Sequence, residues 1–190
     1  MKQALYTEIT GVGEPAIVFL HGRGVDGKYW QGIVDILSSK HKCLVIDLLN
    51  HGQSKNEDNF DASDDDHAEA VYEAIKHQTA SGQVVLVGHS LGAVIALKLA
   101  SQYPELFTQL VCFGMPFDET RREYITSNLE KLAVPTVFVY GEHDSIVSMG
   151  DQEQLAKASP DASFETMPGG HNTSQKRPEI TAQIIRRAMG

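Results

Sequence analysis

Gln83 to Ala100 reads QVVLVGHSLGAVIALKLA: an apolar β-branched run, a Gly-His-Ser-Leu-Gly turn, and an Ala- and Leu-rich segment suited to a helix. Strand, sharp turn and helix, with Ser90 at the apex, form the setting in which a Gly-x-Ser-x-Gly motif acquires a mechanical meaning. A serine held there in a strained conformation crowds the residues two positions away. Gly88 and Gly92 remove the side chains that would clash, and Ala93 and Ala96 keep the first helical turn close to the sheet. The turn lifts the Ser90 hydroxyl above the sheet edge. It also aims backbone N–H groups at whatever occupies the serine, where the helix dipole favours developing negative charge. The alternative for this segment alone is an ordinary strand-helix junction whose glycines serve packing, since the motif recurs by chance.

Upstream, Ala4–Thr10 alternates weakly and reads as an edge strand, followed by a tight turn at Gly11 and Gly13. Pro15–Leu20, PAIVFL, is a continuous apolar run of the kind that forms a parallel strand buried on both faces. It ends in His21-Gly22-Arg23-Gly24, and the carboxyl ends of such strands are where open α/β sheets bind ligands. The spacing of Trp30, Ile33, Val34 and Leu37 predicts a helix over Tyr29–Leu37. Cys43–Leu49 is the next buried strand, left by the loop DLLNHGQS at Asp47–Ser54. The acidic stretch Glu57–Glu69 lacks the central glycine and closing glutamate of a calcium loop. It reads as a solvated loop that caps a helix over Ala68–Gln78.

Downstream, a strand over Leu106–Gly114 is followed by room for one helix, Thr120–Leu132. Pro135–Tyr140 is a strand ending in Gly141-Glu142-His143-Asp144. A helix over Asp151–Ala158, a strand over Ser163–Met167 ending in Pro168-Gly169-Gly170-His171-Asn172, and an amphipathic helix over Thr181–Met189 complete the pattern. Alternating strands and helices predict an α/β fold, a mostly parallel sheet of roughly seven strands with helices on both faces. With 190 residues, 42% of them hydrophobic, and no linker or repeat, the expectation is a single domain over 1–190.

The formal charge of −9 argues against nucleic acid as a partner, because phosphate-backbone binding needs a basic patch. Cys43 and Cys112 lie in apolar strand-like runs, where free cysteine behaves as a small buried hydrophobe. They suggest a reduced compartment and no disulfide framework. The N-terminal MKQALYTEIT has no apolar leader core, and no apolar run is long enough to span a bilayer, so the expected location is cytoplasmic with no membrane partner.

A serine hydroxyl becomes a useful nucleophile only when a base takes its proton and a third group orients that base. If the partners follow in the order serine, acid, histidine, only His143 and His171 qualify as base. Side chains that converge on one point should come from different strand ends. His171 follows its own strand and a Gly-Gly pair, whereas His143 precedes the best acid, Asp144, with no strand between them. Asp118, also just past a strand end, is the rival acid.

These motifs together resemble the α/β-hydrolase fold family over nearly the whole chain. The resemblance rests on His21-Gly22-Arg23-Gly24, on Asp47 with His51-Gly52-Gln53-Ser54, on Gly88-His89-Ser90-Leu91-Gly92, on Gly141-Glu142-His143-Asp144 and on Gly170-His171. It implies a serine hydrolase, of esterase type, that works through an acyl-enzyme on an ester, thioester or lactone of a small acyl group. Ser90 would attack, His171 would shuttle the proton, Asp144 would orient His171, and the backbone N–H groups of Arg23 and Leu91 would form the oxyanion hole. Three departures stand out: Leu49-Asn50 replaces the family's frequent Pro-Gly, one N-terminal strand replaces two, and the residues after Gly114 are too few for a helical lid. Asparagine tolerates the left-handed conformation such a turn needs.

A lidless site implies a shallow pocket for a small-molecule substrate, with walls from Gly22, Arg23, Tyr29, Trp30, Met115, Pro116 and Phe117. The aromatic and apolar members are equally core candidates, Trp30 above all. Arg23 suits either a substrate carboxylate or phosphate, or solvent. His21 and His51 are expected to organise their loops, and His89 to pack beside the elbow. No cluster has metal-ligand spacing, so neither metal nor cofactor is expected. An uncovered apolar rim would favour a homo-oligomer. Rival readings are a perhydrolase or carbon-carbon bond hydrolase on the same triad, or a ligand sensor with little turnover.

Overall fold

The computed structural model describes residues 4–55, 61–78 and 84–190; Gln83 and the start of the acidic stretch, 57–60, lie outside the described residues. The apolar runs become strands β1 (Thr7–Thr10), β2 (Ala16–Leu20), β3 (Cys43–Ile46), β4 (Val84–His89), β5 (Phe107–Phe113), β6 (Thr136–Gly141) and β7 (Ser163–Met167). The helices between and after them are α1 (Gln31–Leu37), α2 (Asp64–Gln78), α3 (Leu91–Gln102), α4 (Arg122–Leu129), α5 (Met149–Ala158), α6 (Thr173–Lys176) and α7 (Pro178–Met189). The sheet runs in the order β1-β3-β2-β4-β5-β6-β7. Only the β1–β3 pair is antiparallel; every other neighbouring pair is parallel.

The pleat sorts β2 between two cores. Ile17 and Phe19 face α1 and α7, packing with Trp30, Leu37, Ile184 and Ile185. Val18 and Leu20 face the other layer, with Val71 and Ile75 of α2 and Val94 and Leu97 of α3. Full burial of each such side chain contributes about 1.5–3 kcal/mol before chain entropy is subtracted. Helix α3 is buried almost all round, which its small residues Ala93, Ala96 and Ala100 permit.

From β2 the chain crosses to β3 on one side, then returns past β2 to β4 on the other. The loops leaving β2 and β4 therefore diverge, and a crevice opens between them where open α/β sheets bind ligands. Those two loops carry Gly22-Arg23 and Ser90. Between β5 and β6 the chain forms one helix, α4, shorter than the Thr120–Leu132 expected.

Several boundaries differ from the sequence reading for local reasons. The chain leaves β3 at Ile46, short of the expected Leu49, because Asp47 and Leu48 are bonded elsewhere: the Asp47 carboxylate accepts from the Gly27 and Gln53 N–H groups, and the Leu48 N–H donates to His21 Nε2. The helix expected from Tyr29 starts as a 3-10 turn at Gly27–Trp30, capped by Asp26, before α1 begins. Helix α7 begins at Pro178, three residues early, where proline's missing N–H costs nothing.

Candidate active site

Ser90 sits at φ 51° and ψ −114°, a left-handed conformation that a non-glycine residue keeps only under constraint. The constraint comes from packing at the elbow. A Cβ at Gly88 would lie 2.6 Å from Ala93 Cα, and one at Gly92 would lie 2.6 Å from the His21 carbonyl oxygen. Both glycines are therefore required by backbone contact between strand, helix and the neighbouring β2 loop. The Ser90 carbonyl accepts the first helical bonds from Ala93 and Val94, so the strain is concentrated at one residue.

The loop after β6 and the loop after β7 bring two more side chains to the crevice. Asp144 Oδ2 accepts a hydrogen bond from His171 Nδ1 at 2.9 Å, and its Oδ1 accepts from the Ile146 and Val147 N–H groups at 2.8 and 2.9 Å. A carboxylate only accepts, so His171 carries its proton on Nδ1 and leaves Nε2 as the acceptor. The Asp144 side chain is 0% exposed. Burial pushes its carboxyl up, but the bonds from His171, Val147 and Ile146 outweigh this and hold it below the usual carboxylate range. Ser90 and His171 line one cavity of about 450 Å³, whose walls include Gly22, Arg23, Ile146 and Lys176. No hydrogen bond joins Ser90 Oγ to His171 among the described residues. Such contacts are often long in unliganded sites and tighten in the complex.

The surrounding histidines hold this geometry. His21 Nε2 accepts from Leu48 N–H, so its Nδ1 donates to the Gly22 carbonyl at 2.8 Å, tying the Gly22-Arg23 loop to the end of β3. Asn50, with φ 64°, adopts the left-handed turn expected of it. His89 Nε2 donates to the His171 carbonyl at 3.0 Å, and its ring stacks on Tyr29 at 4.5 Å. A Cβ at Gly22 would meet His89 Nδ1 at 2.8 Å and Ser90 Cβ at 3.3 Å, so the backbone of this loop lies directly against the serine. The Leu91 and Arg23 N–H groups, expected as oxyanion donors, make no loop or turn bond among the described residues.

Buried histidines have a pH consequence. Burial lowers His21, takes His67 down to about 4 and His89 to about 3. In the unfolded chain these groups protonate near 6.5, so acid favours the unfolded state. Stability is at its full value above pH 6.5 and is lost progressively as pH falls toward 4. The expected result is a thermal midpoint that is flat from pH 8 to 7 and drops by about 5 °C or more by pH 5. In a His67→Leu variant the drop should be smaller, and a midpoint unchanged down to pH 5 would contradict the argument.

The structure corrects part of the expected pocket. Of the seven residues proposed as walls, Gly22 and Arg23 line the cavity; Tyr29, Trp30, Met115, Pro116 and Phe117 do not. Trp30 is enclosed by Phe19, Tyr29 and Phe113. Met115 and Phe117 turn inward to the α2–α3 core, where Tyr140 donates to the Met115 carbonyl; Pro116 is half-buried between them. Tyr29 is buried because its hydroxyl bonds Ser174 at 2.6 Å while its ring supports His89. It braces the site from behind. The rival acid Asp118 is exposed and caps the turn before α4, accepting from Thr120 and Arg121 N–H groups. His143 is exposed. The sequence reading missed Val25, Ser145, Ile146, Asn172, Thr173 and Lys176 as walls. Ile146, an apolar residue directly after the acid loop and 68% exposed, carried a usable signal; helix α6 is too short for any periodicity.

The α/β hydrolase fold model matches residues 15–127. The chain belongs to the α/β-hydrolase fold family. The chain is 34% identical over 108 residues to a pimeloyl-(acyl-carrier protein) methyl ester esterase of Nitrosomonas europaea, covering 57% of this chain and 40% of that protein. It is 32% identical over 114 residues to the Karrikin insensitive 2 receptor CA of Petunia hybrida, covering 58% and 42%. The chain spans between 29% and 43% of the length of the first curated relatives it matches. Among solved structures, an E-2-(acetamidomethylene)succinate hydrolase superposes with a TM-score of 0.88 at 20% identity, over 97% of this chain and 94% of that one. The chain thus has the family fold and relatives named as esterases. Among the described residues, no three His, Cys, Asp or Glu side chains are grouped as a metal site requires, and no helix is long and apolar enough to cross a membrane.

Proposed function

We propose that this protein is a hydrolase that cleaves a carboxylic ester, or a thioester or lactone, of a small acyl group through a Ser90-His171-Asp144 triad. The observation that carries the reading is the 2.9 Å bond from His171 Nδ1 to an enclosed Asp144, with His171 lining the same cavity as a serine held at φ 51°. Ser90 Oγ attacks the carbonyl carbon while its proton passes to His171 Nε2. The C–O bond to the alcohol then breaks, and the departing oxygen takes that proton. Water attacks the acyl-enzyme, again giving a proton to His171; the bond to Ser90 breaks, the carboxylic acid leaves, and the serine recovers its proton. The N–H groups of Leu91 and Arg23 hold the oxyanion in both steps; losing one such donor typically costs about 2.7–4 kcal/mol in the barrier.

The test is release of p-nitrophenol from the acetate, butyrate and octanoate esters, following the burst and the steady rate. A cavity of about 450 Å³ with an open mouth should favour acetate and butyrate over octanoate. A ligand-sensing role is the second reading, favoured by the similarity to a protein named as a receptor. A stoichiometric burst followed by negligible turnover would put that reading first. A folded protein with neither burst nor turnover would overturn the esterase reading.

A further inference from the structure

The cavity that holds Ser90 and His171 differs in charge from the rest of the molecule. The chain carries 25 acidic against 16 basic residues, yet no Asp or Glu lines this cavity, while Arg23 and Lys176 both do. The adjoining carboxylate, Asp144, is fully enclosed with both oxygens accepting hydrogen bonds. Arg23 and Lys176 sit on separate segments, the loop after β2 and the end of α6, and neither is ion-paired among the described residues. Two exposed apolar side chains, Val25 at 40% and Ile146 at 68%, line the same cavity beside the uncharged polar Ser145 and Asn172. A short apolar stem with a charged end fits this arrangement. A cleft lined by one sign of charge also concentrates ligands of the opposite sign.

Resting on the esterase reading, we propose that the substrate carries a second, unreacting anionic group, a carboxylate, held by Arg23 and Lys176 at the cavity mouth. The chemical class is a monoester built on a small dicarboxylic acid, or an ester whose alcohol portion bears the carboxylate. The guanidinium offers a planar fork that pairs with both carboxylate oxygens, and the ammonium adds a point charge. Both cations are solvent-exposed, so each contributes modestly, and together they should give about a tenfold preference at low salt.

The experiment compares kcat/KM in two arms at low ionic strength. In the first, mono-p-nitrophenyl glutarate is set against its neutral methyl ester and against p-nitrophenyl 4-(trimethylammonio)butyrate. In the second, 4-carboxyphenyl butyrate is set against 4-(methoxycarbonyl)phenyl butyrate. The expected result is a preference of about tenfold for the carboxylate in one arm, which identifies the side that carries it, with the cationic ester slowest. That ratio should shrink in 0.5 M salt, approach one in an Arg23→Gln/Lys176→Gln double variant, and fall in Lys176→Glu. Equal rates for charged and neutral esters in both arms, or a preference untouched by the double variant, would overturn the proposal while leaving the esterase reading standing. If no ester turns over, calorimetric titration of Ser90→Ala with glutarate tests the anion site alone: binding weakened by the double variant supports it, and no binding overturns it.

Discussion

Ser90→Ala is expected to lower kcat on p-nitrophenyl acetate by about a million-fold and to abolish the burst, because it removes the nucleophile of the proposed triad. The same position makes a second, opposite measurement available. Alanine keeps a Cβ at φ 51° and so keeps the strain, whereas glycine relieves it. Strain of this kind costs about 1–3 kcal/mol, and glycine gives back part of the gain through its freer unfolded chain. Ser90→Gly should therefore melt about 2–4 °C above Ser90→Ala while being equally inactive. A glycine variant that melts lower than the alanine variant would mean that the elbow stores no strain at this residue.

Asp144→Asn should reduce kcat by about ten-thousandfold with little change in fold. The asparagine Oδ1 can still accept from the Ile146 and Val147 N–H groups. Its amide nitrogen then faces His171 Nδ1 and donates to it, which moves the imidazole proton to Nε2, the nitrogen that must accept from Ser90. The ring stays in place with the wrong tautomer. Asp118→Asn removes only the charge of a turn cap outside the cavity, since its Oδ1 can still accept from the Thr120 and Arg121 N–H groups, and should hydrolyse p-nitrophenyl acetate at the parent rate. Loss of activity in Asp118→Asn with none in Asp144→Asn would transfer the acid role to Asp118.

What could be read in the sequence depended on how local the physics was. Gly88, Ser90 and Gly92 are legible because a close backbone approach leaves a residue pattern within five positions. Asp144 and His171 are legible one step further on, because an alternating strand-helix chain places its strand ends on one rim, and the two side chains do meet. Tyr29, Trp30, Met115 and Phe117 defeated the same reasoning. An aromatic or apolar residue beside a strand end looks identical whether it lines a pocket or closes the core, and here Ser174, Phe19 and Tyr140 draw these residues inward. Lys176 was illegible for a different reason. Its place at the mouth depends on the four-residue helix α6, which is tied down in part by the Tyr29–Ser174 bond, a contact between residues far apart in the chain.

The strand order also bears on how the chain is made. Strands β1, β2 and β3 leave the ribosome before β4, yet β2 lies between β3 and β4 in the finished sheet. Until residue 89 has emerged, the Ala16–Leu20 edge that will pair with Val84–Gly88 has no partner, and all five of its residues are destined for burial. At about 5–20 residues per second, the interval between Leu20 and His89 lasts several seconds. An unpaired apolar edge is a template for joining other chains. The serine elbow and the strand that ends this vulnerability are the same stretch of sequence. Substitutions that slow the docking of β4 should therefore be seen first as a loss of soluble yield, before any change in the activity of the protein that does fold.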